Sequence, residues 1–183
     1  MSAARYALVA YVKNAIGEFV ESLRRELHPS LPHLDAHLTI LPPRPLSGSE
    51  LEARESLEEI CRRVEPFTVQ LGEVETFCPV TPTVFIRVER DAGRMCKLHD
   101  QLKKTLAGEE EWPYMPHLTI VKMATFEQAQ NALQVARERW KHFAASRIIA
   151  VDELTFVRET EDKCWEDLAG VPLGRSLVSR RSY

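Results

Sequence analysis

The sequence predicts an α+β fold in which one strand-helix-strand-helix-strand unit occurs twice. The tetrapeptide His-Leu-Thr-Ile occurs at residues 37–40 and again at 117–120, an offset of 80 residues. A second matched pair, Thr76-Phe77 and Thr155-Phe156, is offset by 79 residues, and the strand and helix patterns around the two tetrapeptides follow the same order. Repetition in register over this length indicates an internal duplication.

The first unit contains three apolar, β-rich segments and two helices with polar N-caps. We predict a strand over 6–12 and a helix over 15–27 capped by Asn14. A second strand starts at His37 and stops at Leu41, and a second helix runs from the capping box Ser49/Glu52 to about Val64. The third segment, over 67–77, is predicted to be a strand or a bulged strand around Gly72. The end at Leu41 is expected because Pro42 and Pro43 cannot donate to a central ladder.

The second unit repeats this order. We predict a strand over 83–88, a helix capped by Asp91, a strand over 117–123, a helix capped by Thr125 and running to about His142, a long strand over 147–157, and a returning hairpin strand over 164–168. The half-repeats then span about 5–79 and 82–170, within one bilobed domain over 1–183. The basic segment 175–183 has no predicted placement.

The repeated tetrapeptide predicts a shared cleft. Because side chains alternate along a strand, His37 and Thr39 share one face while Leu38 and Ile40 share the other, and the second copy is arranged alike. Two halves related by a pseudo-twofold axis bury their apolar faces together. The same symmetry brings both histidines and both threonines to one cleft.

This pairing favours acid-base chemistry. Imidazole titrates near pH 6.5, so one histidine can act as base while the other acts as acid. The hydroxyls of Thr39 and Thr119 can donate to phosphoryl oxygens. The cleft therefore suits in-line attack on a phosphodiester, with His37 and His117 as catalytic residues and the two threonines as phosphate-binding residues.

The motifs resemble those of the two-histidine phosphoesterase superfamily, and most closely its bacterial 2′-5′ RNA ligase and cyclic phosphodiesterase group. The family pattern of His, hydrophobic, Ser or Thr, hydrophobic is matched twice, by His37/Thr39 and by His117/Thr119. The resemblance implies two antiparallel sheets around a central cleft. It also implies metal-independent activity on RNA or nucleotide 2′,3′-cyclic phosphates or 2′-5′ linkages. Two alternatives remain open: a 2′-5′ RNA ligase working in the reverse direction, and a non-catalytic nucleotide- or RNA-binding module.

The two copies differ just before each histidine. His33 and Asp35 share the strand parity of His37, whereas Met115 stands at the position of Asp35 in the second copy. A carboxylate beside His37 would raise the pKa of that imidazole and make it the acid. The alternative is that the segment from Pro32 to Asp35 is a loop.

Further candidate ligand contacts lie near the second motif. Trp112 and Tyr114 are candidates for stacking on a base, with packing between lobes as the alternative. The candidate cations at the phosphate are Arg44, Lys122, Arg87 and Arg158. Lys122 has the wrong strand parity for the cleft unless the strand bulges.

Composition narrows the class of partner. A net charge of −3 provides no overall basic field for non-specific nucleic-acid binding, so a phosphate needs a local positive site.

Cys96 and His99 could share a helix face, but two ligands rarely form a metal site, and no cofactor is predicted. Scattered cysteines, no recognisable export signal and no long apolar run favour a cytoplasmic protein with reduced thiols. We expect an RNA end or a small nucleotide phosphodiester as partner, with no membrane and no obligate protein partner.

Overall fold

The structure is a computed structural model that describes residues 4–28, 34–105, 110–160 and 164–174. The described residues form four helices and eight strands. The strands are β1 Tyr6–Tyr11, β2 His37–Arg44, β3 Phe67–Thr76, β4 Thr83–Arg90, β5 His117–Lys122, β6 Ile148–Val151, β7 Glu153–Glu159 and β8 Trp165–Pro172; the helices are α1 Ala15–Leu27, α2 Glu50–Cys61, α3 Ala92–Leu102 and α4 Phe126–Lys141. His33 and the segment 175–183 lie outside the described residues.

All eight strands belong to one sheet, whereas the family resemblance implied two. The strand order is β6-β3-β4-β5-β2-β1-β7-β8, and the neighbouring strands are antiparallel. The two four-stranded halves meet between β2 and β5, where one ladder position, Leu38 opposite Leu118, joins them. The α+β class is confirmed, while the pseudo-twofold relation of the halves stays a prediction.

The chain crosses between the halves of the sheet. β3 follows the first motif in sequence but pairs with β4, and β7 pairs with β1. The predicted long strand over 147–157 is wrong for this reason: β6 pairs with β3 in one half of the sheet, and after Asp152 β7 pairs with β1 in the other. One continuous strand cannot pair with both β3 and β1.

The helices pack against one face of the sheet. The main core contains residues of all four helices together with Leu8 and Ala10 of β1, whereas Ala7 and Val9 belong to a small separate cluster with Val157. Since neighbouring strand residues point to opposite faces, this second cluster marks the face that the described helices leave uncovered. The cleft lies on that face.

All four helices begin directly after the predicted cap residue, and three of these residues form a side-chain capping hydrogen bond. Asn14 accepts from the amides of Ile16 and Gly17, Ser49 forms the predicted capping box with Glu52, and Thr125 accepts from the amide of Gln128. Asp91 occupies the predicted N-cap position of α3, but it has a φ of 60° and its side chain makes no capping hydrogen bond. Helix α2 ends at Cys61, three residues before the predicted Val64.

Strand β2 continues past the expected stop at Leu41, through Pro42 and Pro43 to Arg44. Arg44 lies opposite Tyr6 of β1, and the register between the two strands is irregular there. Beyond Leu38 no ladder to β5 forms on the other side of β2 in the described residues. The prolines are therefore tolerated because this part of β2 behaves as an edge strand.

Candidate active site

The four motif residues lie together at the junction of β2 and β5. Leu38 and Leu118 face each other and are both fully buried. In antiparallel pairing this places His37 beside Thr119 and Thr39 beside His117, all on the face opposite the leucines. The histidines are then diagonal neighbours, an arrangement in which Cα atoms lie about 7–8 Å apart.

Both imidazoles are oriented in the same way. Nδ1 of His37 lies 2.6 Å from the carbonyl oxygen of Asp35, and Nδ1 of His117 lies 2.7 Å from that of Met115. A carbonyl can only accept, so Nδ1 carries the proton in each ring. Each Nε2 is left without a hydrogen-bond partner among the described residues. In the neutral rings Nε2 is therefore a proton acceptor.

Burial disfavours the charged form of both histidines. It lowers the pKa of His37 to about 4, with further lowering by the positive charges of Arg24 and His117. Burial also lowers the pKa of His117, and Arg87 adds to the effect. We therefore expect both rings to be neutral at pH 7.

The expected difference between Asp35 and Met115 does not arise in the side chains. Asp35 lies in a loop before β2 and contacts His37 through its backbone carbonyl, as Met115 contacts His117. The carboxylate that acts on the pKa of His37 belongs to Glu21. Leu34 and Asp35 lie in a loop, as the alternative predicted, whereas Pro32 and His33 lie outside the described residues. The low pKa of His37 argues against the expected acid role.

Different side chains flank the two histidines. Tyr11 lies opposite His37, and its hydroxyl donates to Asp167 at 2.6 Å. Arg87 lies opposite His117 and forms a bidentate ion pair with Glu75, at 2.6 and 2.7 Å. The cleft is therefore symmetric in its motif residues but not in their neighbours.

Aromatic rings support His117 from one side. Phe77 and Phe85 stack with ring centroids 4.2 Å apart, and the imidazole meets them edge-on at 5.1 and 5.2 Å. Such contacts fix ring orientation because aromatic edges and faces attract only in certain geometries.

Lys122 reaches the cleft because β5 bulges. Val84 pairs with Val121 and Phe85 pairs with Thr119, so β5 has one extra residue, Ile120. Ile120 and Val121 both point into the main core, which reverses the parity and returns Lys122 to the face of Thr119. The bulge that allows Lys122 to face the cleft is therefore present.

The other three candidate cations are already paired. Arg44 binds Glu110, Arg87 binds Glu75, and Arg158 binds Glu50 and Glu166. Lys122 has no hydrogen-bond or ion-pair partner among the described residues. It is the candidate cation best placed to meet a phosphate.

Arg24 was not a candidate in the sequence but lies beneath the motifs. Its guanidinium is 7% exposed and donates to the carbonyls of Thr119 (2.9 Å), Ile120 (2.8 Å) and Leu34 (2.9 Å) and to the carboxylate of Glu21 (2.8 Å). Burial lowers the pKa of Arg24, while Glu21 opposes this effect. Arg24 thus places a positive charge close to His37.

The two candidate base-stacking residues lie apart from the cleft wall. Tyr114 stacks on His99 with centroids 4.1 Å apart, and its hydroxyl donates to the carbonyl of Thr39 at 2.8 Å. Trp112 is 60% exposed and borders a different depression with His99 and Lys103. The alternative of packing fits Tyr114 better than base contact.

A cavity of about 280 Å³ opens beside the motifs. Its wall includes His37, Thr39 and Thr119 but not His117, and Trp165 is the aromatic residue that borders it. The lining is completed by Arg24, Lys122 and a set of mostly apolar residues, Ala7, Val9, His28, Leu34, Pro43, Ile120 and Val121. Trp165 and Arg24 are the binding-site candidates that the sequence did not suggest.

The family assignment rests on a match over most of the chain. Residues 12–163 match the family model of the 2′-5′ RNA ligase superfamily. The chain belongs to this superfamily. Both His-Leu-Thr-Ile motifs fall within the matched range.

Relatives and solved structures agree with the superfamily assignment. A protein of Bacillus cytotoxicus named as a predicted phosphoesterase is 25% identical over 162 residues, which cover 88% of this chain and 92% of that protein. A similarly named protein of Halalkalibacterium halodurans is 24% identical over 172 residues, covering 93% and 98%. LigT of E. coli, solved with 3′-AMP, has a TM-score of 0.61 at 16% identity and covers 95% of this chain and 100% of LigT. Usb1 of Kluyveromyces marxianus has a TM-score of 0.51 at 12% identity, covering 93% and 98%.

The likenesses to solved structures show that the chain has the fold of these proteins. Within the described residues no group of three or more His, Cys, Asp or Glu side chains is placed to hold a metal ion. None of the described helices is long and apolar enough to cross a membrane.

Proposed function

We propose that the protein is a metal-independent phosphodiesterase that acts on RNA or nucleotide 2′,3′-cyclic phosphates or on 2′-5′ linkages. The observation that carries this proposal is the placement of His37 and His117 on one face, each with Nδ1 bound to a backbone carbonyl. Two imidazoles presented through Nε2 can divide the two proton transfers of a phosphodiester cleavage.

In the proposed reaction on a cyclic phosphate, water attacks phosphorus in line with the leaving ribose oxygen. One imidazole takes the proton of the attacking water through Nε2. The bond from phosphorus to a ribose oxygen breaks, and the other imidazolium protonates that oxygen through Nε2. The product is a 2′- or 3′-phosphomonoester, and the two histidines have exchanged protonation states.

Binding of an anionic phosphate raises the pKa of one of the two imidazoles. Before substrate binds, both imidazoles are neutral because burial lowers each pKa. An anionic phosphate between them favours a positive charge, so one ring gains a proton when substrate binds. The lower proton affinity of His37, next to Arg24, favours His37 as the base and His117 as the acid. This assignment is the reverse of the expectation from Asp35.

Charge on the phosphate is met by several groups. The hydroxyls of Thr39 and Thr119 stand beside the histidines as donors, and Lys122 borders the same cavity. Arg24 adds a fixed positive charge below. Preorganised donors of this kind stabilise the charge that develops in the transition state.

The cavity beside His37 is suited to the organic part of the substrate. Trp165 borders it, and Val9 and Leu34 are among its apolar lining residues. An indole and aliphatic side chains favour a planar, weakly polar group such as a nucleobase. LigT, which has the same fold, has been solved with 3′-AMP, ATP and NADP+, and this supports a nucleotide as ligand here.

The test is turnover of 2′,3′-cyclic nucleotides in the presence of EDTA. His37→Ala and His117→Ala are each expected to lower kcat by about 10²–10⁴-fold, because each removes one proton-transfer group. His142→Ala is the matched control, since His142 is exposed and paired only with Glu138. Retained activity in either catalytic variant, or a requirement for added metal, would contradict the proposal.

A non-catalytic nucleotide-binding module is the second candidate. It is favoured by the lowered pKa of both imidazoles, because two rings that stay neutral with ligand bound have no proton to donate to the leaving oxygen. Tight nucleotide binding with no product, unchanged between pH 5 and 8, would support this candidate. Formation of a 2′-5′ bond from a 2′,3′-cyclic phosphate and a 5′-hydroxyl would instead reveal the reverse reaction.

A further inference from the structure

We propose that Tyr114 and Arg24 are positioning residues that hold the backbone carbonyls of Thr39 and Thr119 and thereby set the direction of the two threonine hydroxyls. The inference rests on the proposed function, because it assigns a role in phosphate binding to groups that do not touch the phosphate.

Both motif strands bulge directly after the threonine. Between β1 and β2, Val9 pairs with Thr39 and Leu8 with Leu41, so Ile40 is the extra residue, as Ile120 is in β5. The two bulges therefore occupy equivalent positions of the repeat. A bulge interrupts the ladder locally and leaves backbone groups that need another partner.

The carbonyl before each bulge has such a partner, but the partners differ. The Tyr114 hydroxyl donates to the carbonyl oxygen of Thr39 at 2.8 Å, and the Arg24 guanidinium donates to that of Thr119 at 2.9 Å. Arg24 lies on α1, whereas Tyr114 precedes β5. Two unrelated side chains thus perform the same task in the two halves, which indicates that the task itself matters.

Tyr114 is held in place from behind. Its ring lies parallel to that of His99, with an interplanar angle of 3°, and Nε2 of His99 lies 2.7 Å from Glu110. Glu110 also pairs with Arg44, which is 7% exposed. The hydroxyl of Tyr114 therefore has little freedom to leave Thr39.

A held carbonyl fixes the side chain through the backbone. The Tyr114 contact restrains the peptide unit between Thr39 and Ile40, and with it the ψ angle of Thr39. The rotamer of a β-branched residue depends on its backbone angles. When the restraint is lost, the Thr39 hydroxyl samples directions that do not meet the phosphate.

Kinetics of Tyr114→Phe separate this role from base stacking. The variant keeps the ring and loses only the hydroxyl, so a stacking role predicts no change. The positioning role predicts a kcat lowered by about 10- to 100-fold, since small misplacements of a reacting group have effects of this size. KM is expected to change less than twofold. Tyr6→Phe is the matched control because the Tyr6 hydroxyl makes a similar hydrogen bond, 2.7 Å to Glu50, in the outer part of β1, and its kcat is expected to stay unchanged.

An NMR measurement without ligand makes the test independent of turnover. Three-bond couplings to the Thr39 methyl carbon report its χ1 rotamer. We expect one rotamer in the wild type and in Tyr6→Phe, and averaged rotamers in Tyr114→Phe. A single unchanged rotamer in Tyr114→Phe, or a kcat within twofold of an active wild type, overturns the positioning role. If the wild type turns over no cyclic nucleotide, the proposed function fails while the couplings still decide this inference.

Discussion

Arg24→Met is the substitution that most directly tests the energetic role of the junction between β2 and β5. Methionine has a similar length and keeps the apolar stem, but it cannot donate a hydrogen bond. The change removes the donor to three backbone carbonyls and the positive charge beside the Glu21 carboxylate, which still accepts from the amide of Ala36.

The expected loss of stability follows from these contacts. Each buried polar group that loses its partner costs about 1–3 kcal/mol. Water entering from the adjoining cavity offsets part of this cost, so we expect a total of about 3–5 kcal/mol, the range typical of breaking a buried ion pair. Because domains of this kind are stable by about 5–15 kcal/mol, the loss is measurable in a protein that still folds.

Urea unfolding followed by tryptophan fluorescence at pH 7.5 measures this loss. Arg54→Met is the control: Arg54 pairs with Glu58 at 2.8 Å on the exposed face of α2, and its loss is expected to cost less than about 0.5 kcal/mol. Glu21→Gln in the Arg24→Met background should recover part of the loss by neutralising a carboxylate that has lost the positive charge of Arg24. A loss below about 1 kcal/mol for Arg24→Met would refute the reasoning, as would a loss equal to that of Arg54→Met.

Three further outcomes are expected. First, His37 has a pKa of about 4 in the folded protein and about 6.5 in the unfolded chain. Its contribution to stability is therefore present above pH 6.5 and is lost as the pH falls towards 4. The urea midpoint should drop across this pH range, and it should drop less steeply in His37→Gln. Second, Lys122→Met should raise KM for cyclic nucleotides by about tenfold with kcat largely kept if the lysine binds the phosphate equally in ground and transition states; Lys141→Met at the end of α4 is the control, and equal KM values would contradict the role. Third, Trp165→Leu should weaken nucleotide binding by about tenfold but leave the affinity for inorganic phosphate unchanged, as isothermal titration can determine; an equal loss of both would place the tryptophan at the phosphate instead.

The sequence was most informative where the determinants are local. The caps at Asn14, Ser49 and Thr125 depend on a side chain and an amide two or three residues away, and the structure places them as predicted. The pattern of the motif strands is also local, since alternation alone puts histidine and threonine on one face. Their meeting across the junction followed from the repeat.

Features that depend on contacts between distant residues could not be predicted from the sequence. The break at Asp152 depends on which half of the sheet each strand joins, and this is decided by the distant partners β1 and β3. The bulge that turns Lys122 towards the cleft has no marker in the tetrapeptide. Arg24 did carry a signal: it follows Val20 by four residues and so falls on the buried face of α1, where an unpaired charge is unfavourable.

The two histidines have different neighbours, so the site is not symmetric towards a substrate. Water and a ribose oxygen lie on opposite sides of phosphorus in the proposed reaction, so equivalent histidines could not distinguish attack from departure. His37 has Tyr11 and the cavity with Trp165 on its side, whereas His117 has Arg87 and the Phe77–Phe85 pair. A substrate whose nucleoside occupies that cavity can bind in only one orientation. In the proposed mechanism, the predicted duplication would account for the pair of acid and base, and the different neighbours of the two histidines would determine which residue takes which role.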